Sequence, residues 1–157
     1  MKKLVLLSFL FLSVASSNIH AKKLIPLTDF FKNPAKTSYE ISPDGKHLAY
    51  LAPYNKRMNI FIEGKRITSV TDRDIHGMFW KGNDHLIYGR DFGGDENFQI
   101  FSVNIKTGKT TALTPFKGVR SSILDDLEDI SKDEILITMN KINPEVFDVY
   151  RLSLIHI

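Results

Sequence analysis

A chain of 157 residues with 43% apolar side chains can bury one core of ordinary size, and two of the basic residues behind its formal charge of +3, Lys2 and Lys3, sit at its very start. Without residues 1–21 the balance is 19 basic against 18 acidic side chains; with no basic block, neither nucleic acid nor an anionic membrane surface is an expected partner. Cysteine is absent, so a core rather than disulfides must hold the fold, which points to a large folded unit rather than a small stapled secreted module.

The first segment, residues 1–21, opens with Lys2 and Lys3, continues as an apolar run from Leu4 to Ala15 and then turns small and polar. That is the layout of a secretory signal peptide, so the chain is expected to be exported, to a bacterial periplasm or beyond the cell. Cleavage after Ala21 fits best, with Ser16 and Ser17 as alternatives. The run falls short of the ~20 apolar residues a spanning helix needs, so no membrane association is expected after cleavage; a retained anchor is the competing reading. Next, "LTDFFKNP" reads as one short helical turn, capped by Thr28 or Asp29 and stopped by Pro34.

From there the pattern is β. Three segments share one plan: "SYEISPDGKHLAYLAP", "IHGMFWKGNDHLIYGRD" and "DLEDISKDEILITMN". In each, a short run meets a polar turn, at Pro43-Asp44-Gly45, Lys81-Gly82-Asn83-Asp84 and Lys132-Asp133-Glu134, and a β-branched or aromatic run follows. Pro presets φ, Asp bonds its own backbone and Gly accepts positive φ, so the first of these is a turn with a mechanism. A third strand comes after each: "NIFIE", "FQIFSVNI" and "FDVYRL". Aligned on Ile60, Ile100 and Val149, the units repeat after 40 and 49 residues. The first two add a fourth strand after a Gly turn, "KRITSVT" and "KTTALTPF". Four antiparallel strands per ~40–50 residues is the period of a propeller blade. The expected fold is therefore all-β, a partial β-propeller of about two and a half four-stranded blades over residues 22–151; an all-β sandwich is the alternative.

The string "IPLTDFFKNPAKTSYEISPDGKHLAYLAPYNKRMNIFIE", with "DFGGDENFQIF" and "NPEVFDVYRL", resembles the amino-terminal propeller of exported serine peptidases of the prolyl oligopeptidase family, in the acylaminoacyl-peptidase and dipeptidyl-peptidase-like branch. The "SPDGK" turn is shared with TolB-like propellers in general; the other two strings discriminate more. The Gly-His and Trp-Asp signature of WD repeats is absent. The resemblance implies that a carboxy-terminal α/β-hydrolase domain follows in the parent and acts on peptide substrates, its nucleophile in a Gly-x-Ser-x-Gly elbow. This chain has no such elbow and no βαβ alternation, so no catalytic, cofactor-binding or metal-binding residue is assigned, and the chain alone is expected to be inactive. The end, "LSLIHI" at residues 152–157, is what a transposon-end adapter encodes in frame, and a non-native tail is expected there; a native β-prone strand end is the alternative. A stand-alone TolB-like propeller that binds a protein partner is the second functional reading.

Several motifs admit a chemical role beside a simpler one. "DFGGDEN" gathers Asp91, Asp95, Glu96 and Asn97 around two glycines, a candidate Ca²⁺ loop, but it lacks the EF-hand order and reads better as a solvated loop between the second and third strands of a blade. "ILDDLEDIS", with Asp125, Asp126, Glu128 and Asp129, could hold a cation or a substrate amine; a solvated connection between blades is the simpler reading. Phe79, Trp80 and Tyr88 read as core, and His47, His76 and His85 as strand or turn residues.

Overall fold

The computed structural model describes residues 24–32 and 34–155. The expected signal peptide, and His156 and Ile157 of the expected tail, lie outside the described residues. The chain divides into two compact units at residues 32 and 33. Of the first, the described part holds a single helical turn, α1 (Leu27–Phe30), with an ion pair between Lys32 and Asp29. Its N-cap is Pro26, with no side-chain capping bond. Thr28 and Asp29 thus lie inside the turn instead of capping it, because the fixed φ of Pro26 already suits a helix start.

The second unit is three antiparallel sheets in chain order. The first runs β1 (Thr37–Ile41), β2 (Leu48–Tyr54), β3 (Arg57–Ile62), β4 (Lys65–Arg66). The second runs β5 (Met78–Lys81), β6 (His85–Arg90), β7 (Gln99–Asn104), β8 (Thr110–Ala112). The third has β9 (Ser121–Asp125), β10 (Glu134–Met139) and β11 (Asp148–Ser153). Each is a meander joined by short connections, and together they form part of a β-propeller. The turns fall at Pro43–Gly45, Gly82–Asp84 and Lys132–Asp133, where their residues predict, except that Glu134, read as the last residue of the third turn, opens β10. Gly45 adopts φ +72°, with its N–H on the Ser42 carbonyl, and Asp44 accepts the Ser42 hydroxyl and the Lys46 N–H.

The faces of the sheets build two cores. Leu51, Ile60 and Ile62 of the first sheet meet Trp80, Leu86, Tyr88, Phe101 and Val103 of the second. Ile87 and Ile100, on the second sheet's other face, meet Ile135, Ile137 and Met139 of the third. The middle sheet is therefore apolar on both sides, and β6 and β7 read as nearly continuous apolar runs for that reason. Ile60, Ile100 and Val149 occupy equivalent places, opposite Leu51, Gly89 and Thr138. The first two are buried against the following sheet, while Val149 is 59% exposed, since no further sheet lies beyond β11 among the described residues.

A second repeated device closes the outer strands. The Ile60 N–H donates to Thr68 Oγ1 at 2.9 Å, and the Ile100 N–H to Thr114 Oγ1 at 2.8 Å. The Ile60 and Ile100 carbonyls accept the Ile67 and Leu113 N–H groups, each at 2.8 Å. Asn59 and Gln99, one residue earlier, reach two residues past the threonine to the Val70 and Phe116 carbonyls. Asn59 also accepts the Val70 N–H and the Thr68 hydroxyl, so its fully buried amide is satisfied. These side-chain bonds prolong β4 and β8, which are only two and three residues long as ladders.

Two readings from sequence need correction. The first strand of the third sheet is Ser121–Asp125, not the following "DLEDI". Ser121 and Ser122 pair with Met139 and Thr138, whereas Leu127 takes φ +54° and its N–H bonds the Asp125 carboxylate, which ends the extended run. The acidic stretch is thus a loop inside one sheet and not a connection between two, although Glu128 and Asp129 are exposed as expected. Lys81, read as a turn residue, is the buried last residue of β5. At the chain's end, Leu152 and Ser153 continue β11, and Leu154 is buried with its N–H on the Asp133 carbonyl.

Candidate functional site

Chain direction sorts the connections onto two ends. The turns before β2, β6 and β10 share one end; the loops after those strands share the other.

At the first end, residues from all three sheets line a cleft of about 370 Å³, among them Pro43, Trp80, Asn83, Glu128 and Lys132. Trp80 donates its indole N–H to the Glu40 carbonyl at 3.2 Å, and Asn83 accepts the Asp44 N–H, so the first two sheets are tied here. Lys81 ties the second to the third: its ammonium, on a side chain only 7% exposed, donates to the Asp126 and Ser131 carbonyls. No carboxylate pairs with it among the described residues. A buried ammonium tolerates this when carbonyl dipoles replace its water shell. Burial pushes the Glu40 carboxyl above the usual range, and the Glu128 charge adds to the rise. A neighbouring cleft of about 500 Å³ runs along Gly82, His85 and Lys132 to Leu154.

At the other end sits the loop Asp91–Phe98. Asp91 is fully buried and accepts Arg73 Nε at 3.1 Å and the Glu96 N–H at 3.4 Å. Burial raises its carboxyl, but the Arg73 hydrogen bond, the Glu96 N–H and the Arg73 charge outweigh that and hold it below the usual range. Arg90 answers with Asp72 at 3.3 Å, so "DR" at 72–73 and "RD" at 90–91 pair reciprocally. Asp95 and Glu96 are exposed; Asp95 accepts the Asn97 N–H. The three acids of the candidate Ca²⁺ loop thus diverge, and no group of three His, Cys, Asp or Glu that could hold a metal is found among the described residues.

The histidines have separate partners. His47 lies 3.4 Å from Glu63 and stacks on Trp80; His76 meets the edge of Phe98; His85 Nε2 is 3.2 Å from Asn104 Nδ2. Ser42 Oγ accepts the backbone N–H of His47 at 2.9 Å, but among the described residues no imidazole ring shares a hydrogen bond with a serine hydroxyl, and no nucleophile–base pair is assembled. Trp80 and Tyr88 are core, and Phe79 packs partly buried against the second core. From sequence Lys81 reads only as a turn residue, and neither Arg73 nor Arg90 carries an assigned role; a charged residue inside or just beside an apolar strand, as in "FWK" and "YGRD", is the available signal.

No family model matches the chain. Dipeptidyl aminopeptidase BIII of Pseudoxanthomonas mexicana is 32% identical over 148 residues, 89% of this chain and 21% of that protein. Dipeptidyl peptidase family member 6 of Caenorhabditis elegans is 28% identical over 163 aligned positions, 92% of this chain and 22% of that protein. Among solved structures, TolB from Acinetobacter baumannii superimposes with a TM-score of 0.54 at 19% identity, over 77% of this chain and 30% of that one. The chain spans about a fifth of the length of the curated relatives it matches. Its homologues are thus dipeptidyl peptidases, and its fold is part of a TolB-like β-propeller.

Proposed function

We propose that these sheets are the substrate-gating propeller portion of an exported serine peptidase of the prolyl oligopeptidase family. In the parent protein the nucleophile, base and oxyanion donors come from an α/β-hydrolase domain beyond this chain, and the propeller restricts entry to short or unfolded peptides. The observation that carries this reading is the alignment to two dipeptidyl peptidases along about nine-tenths of the chain, across all three sheets. Export is supported by Lys2 and Lys3 followed by the apolar run Leu4–Ala15. The chemistry needs no cofactor, because acyl transfer runs on side chains and backbone donors alone.

A serine-directed fluorophosphonate tests the reading. The full-length gene product should label at a serine beyond residue 157, while the purified 157-residue chain should neither label nor hydrolyse chromogenic aminoacyl or peptidyl substrates. An unlabelled full-length product would favour the second reading, a TolB-like propeller that binds a protein partner without catalysis. The superposition on TolB is the observation behind that alternative.

A further inference from the structure

Between the first two sheets, toward the loop end, lies a cavity of about 410 Å³ that no part of the proposed gating role uses. Its lining combines Val70, Tyr88, Phe92 and Phe101 with four serine and threonine residues, and with Asp72 and Arg90 as the charged groups. Tyr88 and Phe101 stack at 5.5 Å, Phe92 meets Phe101 edge-on at 6.0 Å, and the Arg90 guanidinium lies over the Phe92 ring at 4.4 Å. Arg90 is only 14% exposed. Asp72, itself 43% exposed, approaches just one terminal nitrogen, at 3.3 Å, and the Nε–H has no partner among the described residues.

A guanidinium presents two forks, each able to take both oxygens of a carboxylate. Here Asp72 touches one terminal nitrogen at 3.3 Å, and the unpaired Nε–H is covered from solvent, so the terminal nitrogens are the donors that face the cavity. The guanidinium is held by a single carboxylate that is itself 43% exposed, so a second carboxylate can compete for it, and the rings beside it would accept an apolar body. We propose that this cavity binds a carboxylate carried on an apolar, ring-bearing body. The carboxylate seats on the terminal nitrogens of Arg90, where it competes with Asp72, and the body stacks between Phe92 and Val70. A small aromatic acid and the carboxyl end of a peptide share this chemistry.

The test titrates the full 157-residue chain by calorimetry with 3-phenylpropionate and with N-acetylphenylalanine, each beside its neutral amide. Both acids are expected to bind at least tenfold tighter than their amides; the tighter of the two acids tells a free acid from a peptide end. Arg90→Gln should lose tenfold or more in acid binding with an unchanged circular dichroism spectrum. Asp72→Asn removes the competing carboxylate and should gain severalfold. Acids and amides binding alike, no binding of either acid, or acid binding unchanged in Arg90→Gln would overturn the assignment. If Arg90→Gln does not fold, Asp72→Asn decides: a gain supports the site, and unchanged or weaker binding overturns it.

Discussion

Tyr88 and Phe101 stand directly opposite each other on β6 and β7 with ring centroids 5.5 Å apart, and Tyr50 and Phe61 repeat the pair on β2 and β3 at 5.9 Å. The pairs differ in what covers them. Phe101 is buried in the core between the first two sheets, whereas Phe61 is half-buried on the first sheet's other face. Phe101→Ala should therefore cost about 3–5 kcal/mol of stability and Phe61→Ala about 1–2 kcal/mol. Urea unfolding of the two variants checks this; equal losses would mean that the first sheet's outer face is covered in solution.

The bond from the Ile60 N–H to Thr68 recurs between Ile100 and Thr114. Thr68→Val and Thr114→Val keep the shape and leave a buried N–H unpaired, so each should lose about 1–3 kcal/mol, and by similar amounts. Asn59→Ala should cost more than either, because it orphans both the N–H and the carbonyl of Val70 as well as the Thr68 hydroxyl. Denaturant midpoints would show the ranking.

Acid should act through Asp91. Its carboxyl is held below the ordinary range in the folded chain, against an unfolded value of about 3.9. A depressed carboxyl stabilises the fold fully above the unfolded value, and the contribution fades as pH falls through the folded one. Stability measured from pH 6 down to pH 2 should thus drop below about pH 4, and Asp91→Asn should flatten that limb while lowering the plateau above it. A limb equally steep in Asp91→Asn would assign acid sensitivity elsewhere; Asp44, held low by the Ser42 hydroxyl and the Lys46 N–H, is the next group to try.

Lys81 ties the second sheet to the loop inside the third through the Asp126 and Ser131 carbonyls. Lys81→Met keeps the stem and removes the donors, leaving two carbonyls to find water; a loss of about 1–3 kcal/mol is expected. Protease cleavage within residues 126–133 should become faster in the variant, which a general loss of stability would not localise.

Much of the sheet architecture was legible because its signals are local. Pro43-Asp44-Gly45 makes its turn from its own chemistry, and aromatic residues at 61, 101 and 150 mark the same place in each third strand. The errors came where distant pairing decides. Ser121–Asp125 became a strand because Thr138 and Met139 were there to pair with it, while the acidic residues just after it look equally able to lead into one. The reciprocal pairing of Asp72 and Arg73 with Arg90 and Asp91 joins positions 18 residues apart, and no periodicity announces it.

The middle sheet shares one face with each core, so β6 and β7 can lose their packing only when a flanking sheet has already separated. Opening should then proceed inward from the two outer sheets, as in a row of stacked units. Amide protons of Ile87, Tyr88, Phe101 and Ser102 would be the last to exchange with solvent deuterium, and those of β11 and β1 among the first. The time at which each sheet takes up label would order the units as position along the chain does not, with the centre outlasting both flanks.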